Sequence, residues 1–359
     1  MQIAVPDPIF QTYLFGIIFL SCLLFSFSRR GPASVLDLDT TQELKGFAIL
    51  AILFSHVGYF LASDHRFLFP FSIMAGVGVD IFLFVSGYGL TVSALKKSLS
   101  PRAFYERRLK KIFIPLWITL IGFFLLDFTF LKKVYPFHDV LFSFFGYFHH
   151  ADLYNDVNSP LWFISLILFY YILFPLIFSK RATPFSALIL FGLTTVISIW
   201  NPAALAGMMS LYNLHVITFP LGMCAAWILE KKNVTPKRCS LLANSVSLGF
   251  TLFAIGYLAI HSNVGSAWWL EEGTSVLIAF LIIFVFSIKR FSVGSLYLVG
   301  MLSFEFYLLH WPILYRYGGL FMIAPAWLAL SAYILILLGI ARCIQNLTRR
   351  ILHENAVAQ

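Results

Sequence analysis

Apolar stretches long enough to cross a membrane follow one another along almost the whole chain. A helix that spans the hydrocarbon core of a bilayer needs roughly 17 to 25 mainly apolar residues. Eleven stretches bounded by charged residues, proline or glycine are predicted to be helices: 9–27, 44–63, 73–95, 112–131, 161–179, 185–200, 211–229, 241–261, 273–288, 296–315 and 319–341. The sequence therefore predicts an all-α polytopic membrane protein, a bundle of 10–11 transmembrane helices. Segment 137–148 is a candidate interfacial piece.

The composition excludes a soluble domain of this size, because 60% of the 359 residues are hydrophobic and only 11% are charged. A formal charge of +9 could indicate nucleic-acid binding in a soluble protein, but here the basic residues lie in short loops between apolar segments. We therefore expect contact with membrane lipids and no nucleic-acid partner. No internal repeat or flexible linker divides the sequence, so residues 1–359 are predicted to form one domain.

The lysines and arginines are distributed unequally between the two sides of the predicted bundle. One side has Arg66, Lys132, Lys133 and Arg316. The other side has twenty: Arg29, Arg30, Lys96, Lys97, Arg102, Arg107, Arg108, Lys110, Lys111, Lys180, Arg181, Lys231, Lys232, Lys237, Arg238, Lys289, Arg290, Arg342, Arg349 and Arg350. Cytoplasmic loops of membrane proteins carry the excess of basic residues. We therefore expect an external N-terminus and a cytoplasmic C-terminus. The membrane is expected to be a bacterial plasma (inner) membrane.

His56 is the one ionisable side chain of segment 44–63 beyond its first turn. Placing such a residue at membrane depth costs on the order of 3 kcal/mol unless a partner or a wet cavity receives it. At about 1.5 Å per residue, His56 lies roughly 16 Å from Lys45, in the outer half of the membrane. The residue is either a general base for an acceptor hydroxyl or a packed histidine that donates to a neighbouring helix. We favour the base.

Three further ionisable residues are expected in the same layer. His310 is a candidate catalytic residue or a helix-end anchor, since Trp311 and Pro312 follow it. Asp80 could orient His56 or tie two helices together. Glu305 could be a second orienting carboxylate or a structural hydrogen-bond acceptor.

A run of basic residues, Arg107 to Lys111, is predicted at the cytoplasmic start of segment 112–131. Most such runs are topology signals or contacts to anionic lipids. Arg108 and Lys111 are three residues apart, however, and so face the same side of a helix, where they could clamp a ligand that carries phosphate.

The connection from Lys132 to Pro160 is the longest external one and has room for substrate recognition. Histidine, acidic and polar residues cluster in it: His149, His150, Asp152, Tyr154, Asn155 and Asp156. Their spacing matches no recognised metal site, so we predict no metal and interpret the cluster as a solvated polar loop. Polar and aromatic side chains together also suit a carbohydrate.

Several segments together resemble the acyltransferase-3 family of integral membrane acyltransferases. Lys45 to His56 is similar to the family pattern of an arginine, ten residues and a histidine on one helix. Arg108 and Lys111 resemble its pair of arginines three apart, so that Lys45 and Lys111 each stand for a family arginine. The remaining matches are Gly78 to Gly87, Leu161 to Ser165 with Phe174-Pro175, and Ser303 to Pro312. The matches follow the family order from about residue 40 to 341, with 9–27 as an extra helix.

The resemblance implies an O-acetyltransferase that moves an acyl group, commonly acetyl from acetyl-CoA, to a hydroxyl of an extracytoplasmic polysaccharide or lipid-linked sugar. Acetyl-CoA or another acyl-CoA would bind near Lys45, Arg108 and Lys111, and His56 would deprotonate the acceptor. Asp80 or Glu305 would hold the imidazole. The rival function is a transporter or flippase of a lipid-linked sugar, in which the buried histidine and carboxylates bind protons or substrate. A third is a membrane sensor or scaffold.

Overall fold

The structure is a computed structural model that describes residues 3–29, 35–97, 99–148, 150–152, 155–205, 207–232, 241–262 and 267–357. Five residues discussed above lie outside this part of the chain: Arg30, His149, Tyr154, Lys237 and Arg238. For Lys232 only the backbone is described. Nine helices of the described residues are long and apolar enough to cross a membrane, and ten if one bent pair counts as a single span. The prediction of an all-α polytopic bundle is confirmed.

Fifteen α-helices make up most of the described chain. They are α1 Pro8–Phe25, α2 Leu38–Ser55, α3 Met74–Lys96, α4 Pro101–Leu126, α5 Phe137–Phe144, α6 Trp162–Ile177, α7 Thr183–Trp200, α8 Met209–Asn213, α9 Thr218–Lys232, α10 Leu241–Ile260, α11 Trp268–Ile288, α12 Gly294–Met301, α13 Ser303–Tyr315, α14 Leu320–Ile323 and α15 Ala326–Val357. Short π-helical turns continue α2 over His56–Leu61 and α4 over Asp127–Leu131. The strands Phe27–Arg29 and Phe291–Val293 form a small antiparallel pair.

Each of the eleven predicted segments coincides with one of these helices or with a broken pair of them. The boundaries differ most where helical turns with charged residues extend the helix beyond its apolar segment. Helix α4 begins at Pro101 rather than at 112, and α15 continues to Val357 rather than ending at 341. Proline is well suited to the first helical position, because it has no N–H group that would be left unbonded there. The basic residues of the run 107–111 therefore lie on α4, as the argument from the spacing of Arg108 and Lys111 requires.

The predicted helix over 296–315 is divided into two helices, α12 and α13. The chain bends by 79° between α12 and α13, at Leu302. Helix α12 packs so closely on α2 that a Cβ atom on Gly300 would lie 1.8 Å from the Gln42 carbonyl oxygen, and one on Gly46 would lie 1.9 Å from the Leu296 carbonyl oxygen. This backbone contact fixes the direction of α12, and α13 leaves it at the bend.

Helices α2, α3, α9 and α12 form the centre of the bundle, whereas α1 lies at its edge. In the spanning window of α2, 72% of the residues are buried, against 17% in α1. The exposed side chains of α1 are mostly large and apolar, including Phe10, Ile17 and Leu24. Such a surface suits lipid contact, and it agrees with α1 as an addition to a core that begins at α2.

Candidate functional site

Two histidines from different helices meet inside the bundle. His56 follows the last residue of α2, and His310 lies on α13. The Nδ1 atom of His56 is 3.0 Å from the Nε2 atom of His310, and the two rings stack at 5.1 Å with 19° between their planes. His310 is fully buried and His56 is 9% exposed. The structure thus brings together two of the four residues that the sequence placed in one layer.

The hydrogen bonds of His310 determine which nitrogen of His56 carries the proton. Nδ1 of His310 lies 2.7 Å from the carbonyl oxygen of Tyr307. A carbonyl only accepts, so Nδ1 of His310 must donate, and Nε2 of the neutral ring is left as an acceptor. Nδ1 of His56 then donates to this Nε2 atom. The lone pair of His56 is therefore on its Nε2 atom, in the form that a general base requires.

Aromatic residues enclose the His56 ring. Phe60 and Trp311 both pack against it edge to face, at 5.6 Å and 5.3 Å between ring centres. The ring therefore faces protein groups and not the lipid-exposed surface. The backbone at His56 is also unusual, because the α-helix changes here to a π-helical turn. Such turns occur frequently at functional sites.

Asp80 is fully buried and accepts hydrogen bonds from side chains outside its own helix, α3. Its Oδ1 atom accepts from Nδ1 of His215 at 2.8 Å and from the Thr218 hydroxyl at 3.3 Å, while Oδ2 accepts from the Ser275 hydroxyl at 2.6 Å. The His215 ring stacks on Trp162 at 5.8 Å. These contacts join α3 to α9 and α11. Of the two roles considered for Asp80, they favour tying helices together over orienting His56.

His215 was missed in the sequence analysis, although a signal was present. It is an ionisable residue within the apolar segment 211–229, the same kind of feature that drew attention to His56. Its partner could not be read from the sequence, because His215 and Asp80 are 135 residues apart.

Glu305 is buried in the first turn of α13, but no hydrogen bond among the described residues joins it to His56 or His310. Five residues of helix separate Glu305 from His310, which turns their side chains about 140° apart around the axis. The two side chains consequently face different neighbours. Within the described part of the chain, Glu305 thus has no hydrogen bond through which it could orient His56.

A cavity of about 610 Å³ opens near the start of α2, the end of α3 and the first turns of α4. Lys45, Ser86 and Arg108 line it, and the guanidinium of Arg108 lies over the ring of Tyr171 at 5.6 Å. Lys111 is exposed next to this cavity, and its charge, like that of Arg108, acts on Lys45. We call this side of the molecule the basic face, defined by Lys45, Arg108 and Lys111. The three predicted cofactor-binding residues are thus neighbours in space.

Lys45 and His56 lie on the same side of α2. Eleven residues correspond to about three helical turns, so the two side chains project in nearly the same direction, roughly 16 Å apart along the axis. Buried apolar residues, Ile49 and Ile52, occupy the positions between them. The lining of the basic-face cavity includes Lys45 and does not include His56.

Arg316 organises the opposite side, which we call the loop face and define by the described residues of 132–160. From the sequence, Arg316 was only one of the external positive charges. The structure buries it in an ion pair with Asp127, and it also donates to the carbonyl oxygen of Val157. Tyr135 and Tyr317 donate to the same carboxylate at 2.6 Å and 2.8 Å. This cluster fastens the long connection to the ends of α4 and α13.

Comparison with known protein families identifies the family of this chain. A family model described as an acyltransferase domain, that of the acyltransferase-3 family, matches residues 43–343. The matched region begins within α2 and ends within α15, so it contains both histidines of the pair and all three residues of the basic face. No curated protein and no solved structure matches the chain.

Proposed function

Because the chain belongs to the acyltransferase-3 family, we propose that this acyltransferase moves an acyl group, most simply acetyl, from acyl-CoA at the basic face to a hydroxyl of a glycan or lipid-linked sugar at the loop face. The observation that carries the proposal is the histidine pair, which leaves Nε2 of His56 unprotonated on the helix side that also presents Lys45. The basic face would be cytoplasmic and the membrane a bacterial inner membrane.

His56 acts as the general base in the proposed reaction. Its Nε2 atom takes the proton of the acceptor hydroxyl while that oxygen attacks the thioester carbonyl carbon. The new C–O ester bond forms, the C–S bond breaks, and the proton passes from the imidazolium to the CoA thiolate. The hydrogen bond from Nδ1 of His56 to His310 strengthens while His56 is charged, because charge-assisted hydrogen bonds are stronger than neutral ones. Transfer is direct, with no acyl group held on the protein.

The basic face supplies the charge for the donor. Lys45 and Arg108 line one cavity, and Lys111 adds a third positive charge beside it. Arginine can bind a phosphate through two parallel hydrogen bonds, whereas lysine acts as a point charge. Arg108 would therefore fix the orientation of a donor phosphate, and the two lysines would add attraction. The thiol arm would extend along α2 past Ile49 and Ile52 toward His56.

The direct test uses purified protein in lipid vesicles, acetyl-CoA labelled in the acetyl group and the surface polysaccharide of the producing cells after base treatment to remove its esters. We expect label to become linked to the polysaccharide as a base-labile ester. Protein that retains its fold and transfers no label to the polysaccharide would contradict the proposed donor and acceptor.

The rival function, transport or flipping of a lipid-linked sugar, has one structural observation in its favour. The bend between α12 and α13 interrupts an apolar span, as in many transporters. The same labelling experiment separates the two functions. A transporter would move the sugar without attaching label from acetyl-CoA to it.

A further inference from the structure

A second cavity, of about 440 Å³, opens on the loop face. It shares no lining residue with the basic-face cavity. Its size falls within the roughly 300–1,000 Å³ of pockets that bind small ligands. Aromatic side chains form part of its wall, including Phe124, Tyr135 and Phe148. Nothing in the proposed reaction so far uses this cavity.

Asn158 lines this cavity and carries a buried acceptor atom without a hydrogen-bond partner. The residue is 3% exposed and lines the cavity wall. Its Nδ2 atom donates to the carbonyl oxygen of Leu308 at 2.8 Å, but its Oδ1 atom is buried without a hydrogen-bond partner. If the nitrogen and oxygen of the Asn158 amide were exchanged, its side-chain oxygen would face the Leu308 carbonyl oxygen, and neither could donate. The orientation of the amide is therefore fixed. A buried acceptor without a partner costs free energy that a ligand hydroxyl or N–H group would recover.

Ionisable groups also line the cavity. They are three carboxylates, those of Asp139, Asp152 and Asp156, the ammonium group of Lys133, and the imidazole of His150, which lies 2.8 Å from Asp156 and 3.9 Å from Asp139. Lys133 is engaged, because it donates to the Asn155 carbonyl oxygen at 2.6 Å. The carboxylates give the cavity an excess of negative charge. A ligand rich in donors is therefore favoured, and a ligand with acidic groups is repelled.

The cavity wall is tied to the helix that carries His310. Asn158 is bonded to the carbonyl of Leu308, and Tyr307 donates to the carbonyl oxygen of Pro160. The backbone carbonyl of the same residue, Tyr307, accepts from Nδ1 of His310 and so orients that ring. A ligand bound against Asn158 would thus be held next to the turn of α13 that sets the histidine pair.

We propose that the loop-face cavity is an outer subsite that binds a sugar unit without acidic groups, one of whose hydroxyls donates to Oδ1 of Asn158. The inference rests on the proposed function, since the sugar belongs to the acyl acceptor. Aromatic faces would contact the apolar face of the sugar ring, and the carboxylates would accept from its other hydroxyls. The subsite gives the enzyme a preference for neutral or amino-bearing glycans.

The test measures binding without any acyl donor. Purified protein is titrated calorimetrically with the base-treated surface polysaccharide of the producing cells and with the same polymer after its primary alcohols have been oxidised to carboxylates. We expect the wild-type protein to bind the unoxidised polymer more tightly. Asn158→Leu should weaken that binding roughly tenfold, as expected for a lost hydrogen bond to a buried group. Asp64→Asn, which lies outside this cavity and is paired with Arg66, should leave it unchanged.

The subsite is overturned if the wild-type protein does not bind the polymer. It is also overturned if Asn158→Leu binds the polymer as tightly as the wild-type protein does. Should Asn158→Leu fail to fold, the double variant Asp139→Asn with Asp156→Asn decides, because these substitutions preserve side-chain shape. Loss of the preference against the oxidised polymer supports the subsite, and an unchanged preference overturns it. The labelling assay separates the two proposals: binding without acyl transfer rejects the proposed function alone, and transfer that is independent of this cavity rejects the subsite alone.

Discussion

His310 sets the protonation pattern of His56 through its own bond to the Tyr307 carbonyl. The sequence could place His56 at membrane depth because one ionisable residue in an apolar run is conspicuous. It could not identify the partner, because His56 and His310 are 254 residues apart. Asp80, one of the two carboxylates considered for orienting the imidazole, is bonded to His215. The group hydrogen-bonded to Nδ1 of His56 is another imidazole, that of His310.

Replacing His310 tests this orienting role. We expect His310→Ala to lower the rate of acyl transfer by roughly 10- to 100-fold, the usual cost of removing a group that orients a reactive histidine. Donor and acceptor KM should change little, because His310 touches neither substrate in the proposed reaction. His310→Gln should recover part of the rate, since the glutamine oxygen can accept from Nδ1 of His56. Equal rates in His310→Ala and wild type would refute the role.

Helices α2 and α12 show what a hydropathy pattern contains and what it omits. The pattern located every long helix, because a run of apolar residues is a local property. It predicted one helix over 296–315, whereas the contact between Gly46 and Gly300 holds α12 against α2 and α13 departs at 79°. Contacts between distant residues decide such a bend.

The close contact between α2 and α12 predicts a large effect of a small substitution. Gly300→Ala would place a methyl group 1.8 Å from a backbone oxygen, so the helices must separate. Overpacking of this kind typically costs about 1–3 kcal/mol. Gly339→Ala on α15, where a Cβ atom meets nothing within 4 Å, is the matched control. We expect thermal unfolding in detergent at a lower temperature for Gly300→Ala only, and equal midpoints would contradict the packing.

Across the whole molecule, two cavities open on opposite faces, and the histidine pair lies between α2 and α13. The spacing of Arg108 and Lys111 predicted that they face one side of a helix, and the resemblance implied that Lys45 lies near the same ligand. The loop-face cavity was not, because its wall combines residues from α4, α5 and the connection that follows α5. The sequence analysis interpreted part of that connection as solvated polar loop. The buried Asn158 distinguishes a lined cavity from such a loop.

The separation of the two cavities predicts separate effects on the two substrates. Arg108→Ala should raise the KM for acetyl-CoA about tenfold, as expected for a lost charge-assisted contact to phosphate, with little change in the KM for the polysaccharide. Arg107→Ala removes an exposed charge from the neighbouring position, outside the cavity lining, and should have little effect. If both variants behave alike, the run 107–111 acts through its overall charge and not through Arg108.

The most direct test of the account is the rate of acyl transfer by His56→Ala, measured on protein of normal abundance and fold. We expect a loss of at least about 100-fold, the usual contribution of a general base. His65→Ala, which removes an exposed histidine from the loop after α2, should transfer acyl groups at the wild-type rate. Undiminished transfer by His56→Ala would contradict the central claim that this imidazole is the base.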